Sequence, residues 1–316
     1  MKKLIMDGPK KSILIDVPTP SPAGNQVLVK IRYCGVCMSE HHDWAVASRG
    51  RAFGHEPMGV VEQVGRDVTG FKPGDRVTGL GLEAFAEYLL FTPDKLTHVP
   101  DNVKDEDATA EPLSCLISAA SKVPLSLPGD TAAVVGTGYM GLGMVSLLKL
   151  RGAGKIIAVD VREQALENAR CFGATECYLP HQVPKEYLAR MSDIWTGGVS
   201  IVTEWAGTGE ALKLAGEMTK IDGFLGIGGY HTGGNRMVDI QLWNVKAISA
   251  ISLHERKDPF QMKCCQHAME LLSSGQWKFS DLNTRIYGLN EFDQAQQDLD
   301  TKPGNMIKAI IDCTKW

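Results

Sequence analysis

In the first third of the chain, short runs of alternating or β-branched apolar residues are separated by glycine and proline. A period of two places every second side chain on the same face, which is typical of a strand that is buried on one side. The pattern predicts strands at Val27–Tyr33, Gly59–Val64 and Phe85–Phe91, and a further strand that begins at Arg76. We therefore expect a β-rich N-terminal domain.

From about residue 130 the pattern changes to short apolar runs that alternate with stretches of helical spacing. This alternation is typical of a parallel sheet with helices packed on its faces, so the predicted fold class is α/β. The predicted strands are 132–135, 155–160, 199–202, 224–227 and 247–251, and the predicted helices are 140–151 and 162–172.

The final segment has a predicted helix near 291–300 and a strand at 307–311, and we expect it to return to the first domain. Residues 1–115 and 283–316 are therefore assigned to the β-rich domain, and residues 116–282 to the parallel-sheet domain. A length of 316 residues agrees with two domains of ordinary size.

The charge of the chain argues against a nucleic acid or a membrane as its partner. The 33 lysines and arginines and the 37 aspartates and glutamates give a net charge of −4, without any basic block. No apolar run approaches the roughly 20 residues of a membrane span, and Leu4–Met6 is too short for a signal-peptide core. The eight cysteines are scattered, which indicates reduced thiols. We expect a cytoplasmic protein that acts on a small molecule.

A glycine-rich loop follows the predicted strand at 132–135 and opens the next helix. It contains Gly136, Gly138 and Gly141, with Tyr139 and Met140 between the second and third glycines. Glycines at this spacing allow a tight turn and let a pyrophosphate approach the backbone, while the helix N-terminus supplies N–H donors. In this context the loop predicts a dinucleotide-binding site.

Asp160 closes the next predicted strand, 19 residues after Gly141. A carboxylate at that position can accept hydrogen bonds from both ribose hydroxyls and repel a 2′-phosphate, which favours NAD over NADP. Arg162 is the one nearby residue suited to a 2′-phosphate, although such a residue is more often a solvated charge at a helix start.

Thiol, imidazole and carboxylate side chains are concentrated in the β-rich domain. Cys37, His55 and Glu56 lie within about 20 residues of one another, with further imidazoles and carboxylates at 40–43. Taken singly, each has an ordinary structural explanation. Together with a dinucleotide-binding fold, ligands of this mixture suit zinc.

These pieces resemble, along nearly the whole chain, the zinc-dependent medium-chain dehydrogenases, the family of alcohol, sorbitol and threonine dehydrogenases. The resemblance implies a GroES-like catalytic domain and a Rossmann domain, a doubly wound parallel sheet that binds NAD. The motifs occur in the order of the family and are Cys34–Cys37 with Ser39, Gly54–Glu56, Phe71–Val77, Phe85–Tyr88, Glu111–Leu113 and the glycine loop.

The resemblance further implies a catalytic zinc held by Cys37 and His55, with Glu56 and Glu111 as carboxylates that bind it directly or indirectly. A thiolate and two carboxylates together would outweigh the charge of Zn²⁺ and weaken it as a Lewis acid. We therefore expect one carboxylate, Glu111, to yield when water or substrate binds. His55 and Glu56 are adjacent, so both can reach one ion only if the backbone is irregular near Gly54.

Other residues are assigned roles by the same resemblance. Ser39 and His42 match a proton relay from the substrate oxygen to solvent, and Glu40 stands where an aspartate usually orients the histidine ligand. Lys308 matches a basic position near the cofactor pyrophosphate, and an exposed strand lysine is the alternative interpretation.

One departure from the family is clear in the sequence. Only residues 78–84 lie where most zinc members carry a four-cysteine lobe, and none of the seven is cysteine. We therefore expect one catalytic zinc per chain and no structural zinc.

The leading hypothesis is an NAD-linked zinc dehydrogenase that oxidises a secondary alcohol of a polyol, sugar or cyclitol to a ketone. The Glu111–Leu113 motif favours the polyol and threonine branch. The alternatives are a zinc-free enone or quinone reductase and a non-catalytic NAD(H)-binding regulator. A homodimer or homotetramer is expected.

Overall fold

The computed structural model describes residues 1–125 and 127–316. These residues form two compact units, of which the first contains 1–114, 257–275 and 280–316, and the second contains 115–256 and 276–279. Residues 257–275 lie in the first unit, whereas the sequence pattern assigned them to the second domain. The helices predicted from the sequence did not include one over these residues, and helical periodicity does not indicate which sheet a helix packs on.

The elements are numbered along the chain. The strands are β1 (Lys2–Gly8), β2 (Lys11–Asp16), β3 (Val27–Gly35), β4 (Glu56–Val64), β5 (Arg76–Gly79), β6 (Tyr88–Phe91), β7 (Leu96–His98), β8 (Thr131–Val135), β9 (Lys155–Val159), β10 (Glu176–Tyr178), β11 (Val199–Glu204), β12 (Thr219–Ile227), β13 (Ser249–Ser252), β14 (Thr284–Gly288) and β15 (Lys308–Asp312). The helices are α1 (Met38–Val46), α2 (Ala110–Lys122), α3 (Tyr139–Leu150), α4 (Glu163–Cys171), α5 (Gly209–Met218), α6 (Ile240–Val245), α7 (Asp258–Ser273) and α8 (Phe292–Thr301).

The first unit is built on a mainly antiparallel sheet with the strand order β14-β15-β3-β4-β5-β7. Strand β6 is not part of this order and pairs with β3. The last strand, β15, pairs with β3, so the C-terminal segment does return to the β-rich unit. Val29, Ile31, Phe85, Phe292 and Ile311 belong to the buried core of this unit. Val36, the residue before Cys37, belongs to the same core.

The second unit is a six-stranded parallel sheet with the order β10-β9-β8-β11-β12-β13. Residues 132–135 and 156–159 are apolar and buried throughout, as expected for strands that helices cover on both faces. The α/β class and the doubly wound sheet predicted from the sequence are confirmed. Among the described residues, no helix is both long and apolar enough to cross a membrane.

Candidate functional site

Cys37, His55 and Glu56 come together at one end of the sheet in the first unit. Cys37 immediately precedes α1, and Glu56 is the first residue of β4. One ligand atom from each of the three lies within 4.8 Å of the other two. A thiol, an imidazole and a carboxylate at this separation are suited to hold a single metal ion.

The backbone at Gly54 allows two adjacent residues to face the same point. Gly54 has a φ of +102°, a conformation that L side chains rarely adopt, and a Cβ there would lie 2.6 Å from the backbone nitrogen of Phe85. The irregularity that the sequence predicted near Gly54 is therefore present. It turns His55 out of the regular pleat before Glu56 enters β4.

Glu56 is fully buried beside the cluster, and its two oxygens differ in their surroundings. Oε2 accepts a hydrogen bond from the Lys308 ammonium, whereas Oε1 is buried without a hydrogen-bond partner. A Cβ on Gly35 would lie 1.8 Å from Oε2, so glycine is required there to admit the carboxylate. An unpaired buried carboxylate oxygen next to a thiol and an imidazole fits a bound cation.

Lys308 is buried beside the ligand cluster. It is 6% exposed, so the interpretation as an exposed strand lysine is wrong. Its ammonium contacts Glu56 and the carbonyl of Val36, which ties it to the metal-site carboxylate rather than to a phosphate. Burial lowers the pKa of Lys308, but the charge of Glu56 outweighs that effect and raises the pKa above its usual value. Lys308 and Glu56 are 252 residues apart along the chain, so no local pattern predicts this pair.

Glu40 lies where the resemblance implied. Its Oε1 is 2.9 Å from His55 Nδ1 and also accepts the backbone N–H of Gly54, at 2.9 Å. Burial opposes a charged imidazole, but hydrogen bonds to Cys37 and Glu40 outweigh it and raise the pKa of His55 to about 12. With Nδ1 bonded to Glu40, the other ring nitrogen of His55 faces Cys37, the side from which a metal would be bound.

Ser39 and His42 lie one turn apart on α1. Ser39 donates a hydrogen bond from Oγ to Cys37 Sγ at 3.2 Å, which places its hydroxyl at the ligand cluster. His42 is exposed to solvent. Residues three apart on a helix are neighbours, so this arrangement leads from the cluster towards solvent.

Glu111 lies in the first turn of α2 and is not part of the 4.8 Å cluster. Its Oε1 accepts a hydrogen bond of 3.2 Å from Gln261, which is 8% exposed and lies in α7. Sequence reasoning did not identify Gln261, because 150 residues separate it from Glu111. Three of the four predicted ligands thus lie together, and the fourth, Glu111, is hydrogen-bonded to the neutral side-chain amide of Gln261.

The glycine loop in the second unit has the shape of a phosphate cradle. Gly136 has a φ of +88°, and a Cβ on Gly141 would lie 1.9 Å from the carbonyl oxygen of Gly136, so helix and strand pack too closely for a side chain. The space at Gly138 is open, since a Cβ there would meet nothing within 4 Å. No side chain caps α3, which leaves its first N–H groups facing that space.

Two further predicted cofactor-binding residues, Tyr139 and Met140, lie between the second and third glycines. Tyr139 and Met140 are half-buried and form the first turn of α3, and the ring of Tyr139 packs against Phe279 with 5.4 Å between ring centroids.

Asp160 follows β9 and is 7% exposed. Its Oδ2 accepts the backbone N–H of Thr137 at 2.8 Å, and its Oδ1 accepts that of Arg162 at 3.0 Å. The Arg162 side chain lies 3.4 Å from the same Oδ1. The Thr137 hydroxyl also donates to Oδ2, at 3.3 Å, so the remaining lone pair of Oδ1 is the one with which Asp160 can accept from a ribose while it holds the glycine loop.

Models of known protein families match both the β-rich part and the parallel-sheet part of the chain. The model for the alcohol dehydrogenase GroES-like domain matches residues 23–101, and the model for the zinc-binding dehydrogenase domain matches residues 140–273. A sorbitol dehydrogenase of Halalkalibacterium halodurans is 27% identical over 93% of both chains. A probable D-xylulose reductase A of Arthroderma otae is 26% identical over 97% of this chain and 96% of that one.

Among solved structures, 2R,3R-butanediol dehydrogenase from Bacillus subtilis superimposes with a TM-score of 0.82. It is 22% identical and the match covers 98% of this chain and 99% of that one. At this identity the likeness concerns the fold alone.

Proposed function

The chain belongs to the zinc-dependent medium-chain dehydrogenase family, and we propose that it uses one zinc ion and NAD to oxidise a secondary alcohol reversibly. The proposed substrate is a polyol, sugar or cyclitol, which becomes a ketone. The observation that carries the proposal is the cluster of Cys37, His55 and Glu56 with its unpaired, buried carboxylate oxygen.

Cys37, His55 and Glu56 would hold the ion, and Glu111 is the proposed exchangeable carboxylate. When bound, zinc lowers the pKa of the alcohol hydroxyl and NAD accepts the hydride. Glu40 fixes the orientation of the His55 ring through the contact to Nδ1. Lys308 balances the charge of Glu56, which leaves that carboxylate a weaker donor than a free one.

The proton must leave by a path that the chain supplies. Ser39 lies at the thiolate and can accept the proton of the substrate hydroxyl while passing its own onward. His42, one turn further along α1 and exposed, is the proposed outlet because its imidazole can accept a proton and release it to solvent.

The substrate class is supported by the relatives named as sorbitol dehydrogenase and D-xylulose reductase. The direct experiment is nicotinamide reduction by the zinc-loaded protein, with NAD and NADP each offered against polyols, cyclitols, threonine and simple alcohols. NAD-linked oxidation of a polyol or cyclitol would support the proposal, and oxidation of simple alcohols alone would contradict the substrate class.

The cofactor choice depends on the charge of Asp160. Asp160→Asn keeps an acceptor for Thr137 but removes the negative charge that faces a 2′-phosphate and frees Arg162. We expect NADPH affinity to rise about tenfold and NADH affinity to fall severalfold, because charged hydrogen bonds are worth more than neutral ones. Fluorescence titration measures the dissociation constants of NADH and NADPH. The control is Glu163→Gln, which neutralises an acid at the start of α4. Equal losses for both cofactors would show that Asp160 only supports the loop.

We also propose a homo-oligomer that forms through the open edge of the parallel sheet. β13 ends the sheet order, and all four of its residues are exposed, including Ile251. An edge strand with exposed apolar side chains is a template for pairing with a second copy. We expect light scattering to give at least a dimer for the wild type and a monomer for Ile251→Glu. A wild-type monomer, or an unchanged mass for the variant, would contradict this.

We propose a cytoplasmic location, which is supported by the scattered positions of the eight cysteines along the sequence.

A further inference from the structure

Among the described residues of the second unit, three buried side-chain nitrogens lack a hydrogen-bond partner. They are Trp205 Nε1, His231 Nδ1 and Arg236 Nε. Trp205 directly follows β11, and the other two residues lie in the segment that follows β12. All three are therefore located beyond the carboxyl ends of neighbouring parallel strands, where open α/β sheets bind their ligands.

His231 is held by a buried acid. Glu204, the last residue of β11, is fully buried, and its Oε2 lies 3.0 Å from His231 Nε2. Its Oε1 accepts the backbone N–H of Gly207 at 2.7 Å. A Cβ on Gly229 would lie 2.7 Å from Oε2, so glycine is needed for the carboxylate to reach the ring. The carboxylate fixes the proton on Nε2 and turns Nδ1 away from itself.

The pair of Glu204 and His231 lowers the stability of the fold if it has no other role. A buried carboxylate and a buried polar nitrogen without a partner each oppose folding, and an apolar pair would fill the same place without that cost. The hydrogen bond to Glu204 accounts for one ring nitrogen but leaves Nδ1 unexplained. A ligand that bonds to Nδ1 accounts for both the orphaned atom and the buried acid behind it.

The strand order indicates which part of a dinucleotide would meet His231. From Asp160 at the end of β9, the order runs through β8 with its glycine loop to β11 and β12. Neighbouring strands lie about 4.8 Å apart, so the end of β12 is about 14 Å from that of β9. A cofactor with its adenosine ribose at Asp160 and its pyrophosphate at the glycine loop therefore extends towards His231 with its second ribose.

The segments between these points are in direct contact. The backbone N–H of Trp205 donates to the Val135 carbonyl at 2.7 Å, and a Cβ on Gly136 would lie 2.6 Å from the backbone nitrogen of Ala206. The turn after Glu204 thus packs against the glycine loop itself, within one compact unit.

We propose that His231 binds a hydroxyl of the nicotinamide ribose through Nδ1, and that Glu204 is a positioning residue that acts through the His231 ring. A hydroxyl both donates and accepts, so it matches Nδ1 whether the ring is neutral or charged. The inference rests on the proposed use of a nicotinamide cofactor and names a contact that the glycine motif and Asp160 do not include.

Three ligands of increasing length test the contact by calorimetry: ADP ends at the pyrophosphate, ADP-ribose adds the second ribose, and NADH adds the nicotinamide. His231→Gln places its amide near the former Nε2, so it keeps a partner for Glu204 but loses the group at Nδ1. We expect this variant to bind ADP-ribose and NADH about tenfold more weakly, the value of one hydrogen bond, and ADP unchanged. His231→Asn places its amide near the former Nδ1 and should recover most of the affinity.

A purely structural role for His231 gives a different result. In that case His231→Gln binds all three ligands like the wild type, or loses ADP affinity together with the rest, and either outcome overturns the inference. The proposed cofactor use is tested separately by the wild type. A wild-type protein that binds neither ADP nor NADH contradicts the proposed function, whereas normal wild-type binding with an unchanged His231→Gln contradicts only the contact.

Discussion

Cys37→Ala is expected to remove the zinc and lower turnover about a thousandfold or more while leaving NADH affinity unchanged. The thiolate is one of three ligands within 4.8 Å of one another, and the remaining imidazole and carboxylate are insufficient to hold zinc against dilution. Loss of a Lewis acid removes several kcal/mol of transition-state stabilisation, which corresponds to that factor in rate. The glycine loop belongs to the other unit, so cofactor binding should persist.

The measurement is metal content by mass spectrometry, together with kcat and the dissociation constant for NADH. We expect one zinc per wild-type chain and less than about a tenth of that in the variant. Cys171→Ala is the matched control, because it removes the same group from an exposed cysteine outside the cluster. Two zinc ions per wild-type chain would contradict the expectation that no structural zinc is bound, and a zinc-free but fully active Cys37→Ala would favour the zinc-free reductase.

The parallel sheet was predictable because its pattern is local. Buried strands such as Thr131–Val135 and Lys155–Val159 are short, apolar and followed by helices, and the observed strands begin and end close to the predicted bounds. The β1–β2 hairpin was not predicted: Leu4 and Met6 of β1 are buried, but the residues of β2 are only partly buried and do not alternate. Helix α7 was not predicted, and its place in the first unit depends on packing partners that periodicity does not encode.

For the site, the residue types were predictable and their pairings only in part. Motif order placed Cys37, His55 and Glu56 together, and the need for an irregular backbone followed from the adjacency of two ligands. The contacts of Lys308 with Glu56 and of Gln261 with Glu111 join residues 252 and 150 positions apart. Such pairs depend on how the C-terminal segment and α7 return to the sheet, which no local pattern specifies.

Lys246→Ala is expected to destabilise the second unit by about 3–5 kcal/mol. Lys246 is fully buried, and its ammonium donates to the carbonyls of Ala189, Gly216 and Thr219 at 3.0, 2.6 and 2.5 Å. The last two carbonyls lie at the C-terminal end of α5, where the amide ladder has no further donors. The truncation leaves three buried acceptors unpaired and a cavity in place of the lysine stem.

The urea midpoint of the variant, followed by circular dichroism, measures the effect. Lys213→Ala is the matched control, because it removes an exposed lysine from the surface of α5 and should change the unfolding free energy by less than about 0.5 kcal/mol. A midpoint for Lys246→Ala equal to that of the control would show that water replaces the ammonium at no loss.

The pH dependence gives a second, independent test of the same lysine. Burial lowers the pKa of Lys246 from 10.5 to about 8, although Glu217 and Asp239 oppose this. Between about pH 8 and 10.5 the unfolded chain therefore binds a proton that the folded chain has released. Linkage then requires the unfolding free energy to rise with pH across that window. Lys246→Met cannot titrate, so the wild type should gain stability relative to this variant as the pH increases from 8 to 10, and a constant difference would show that the buried amine stays charged.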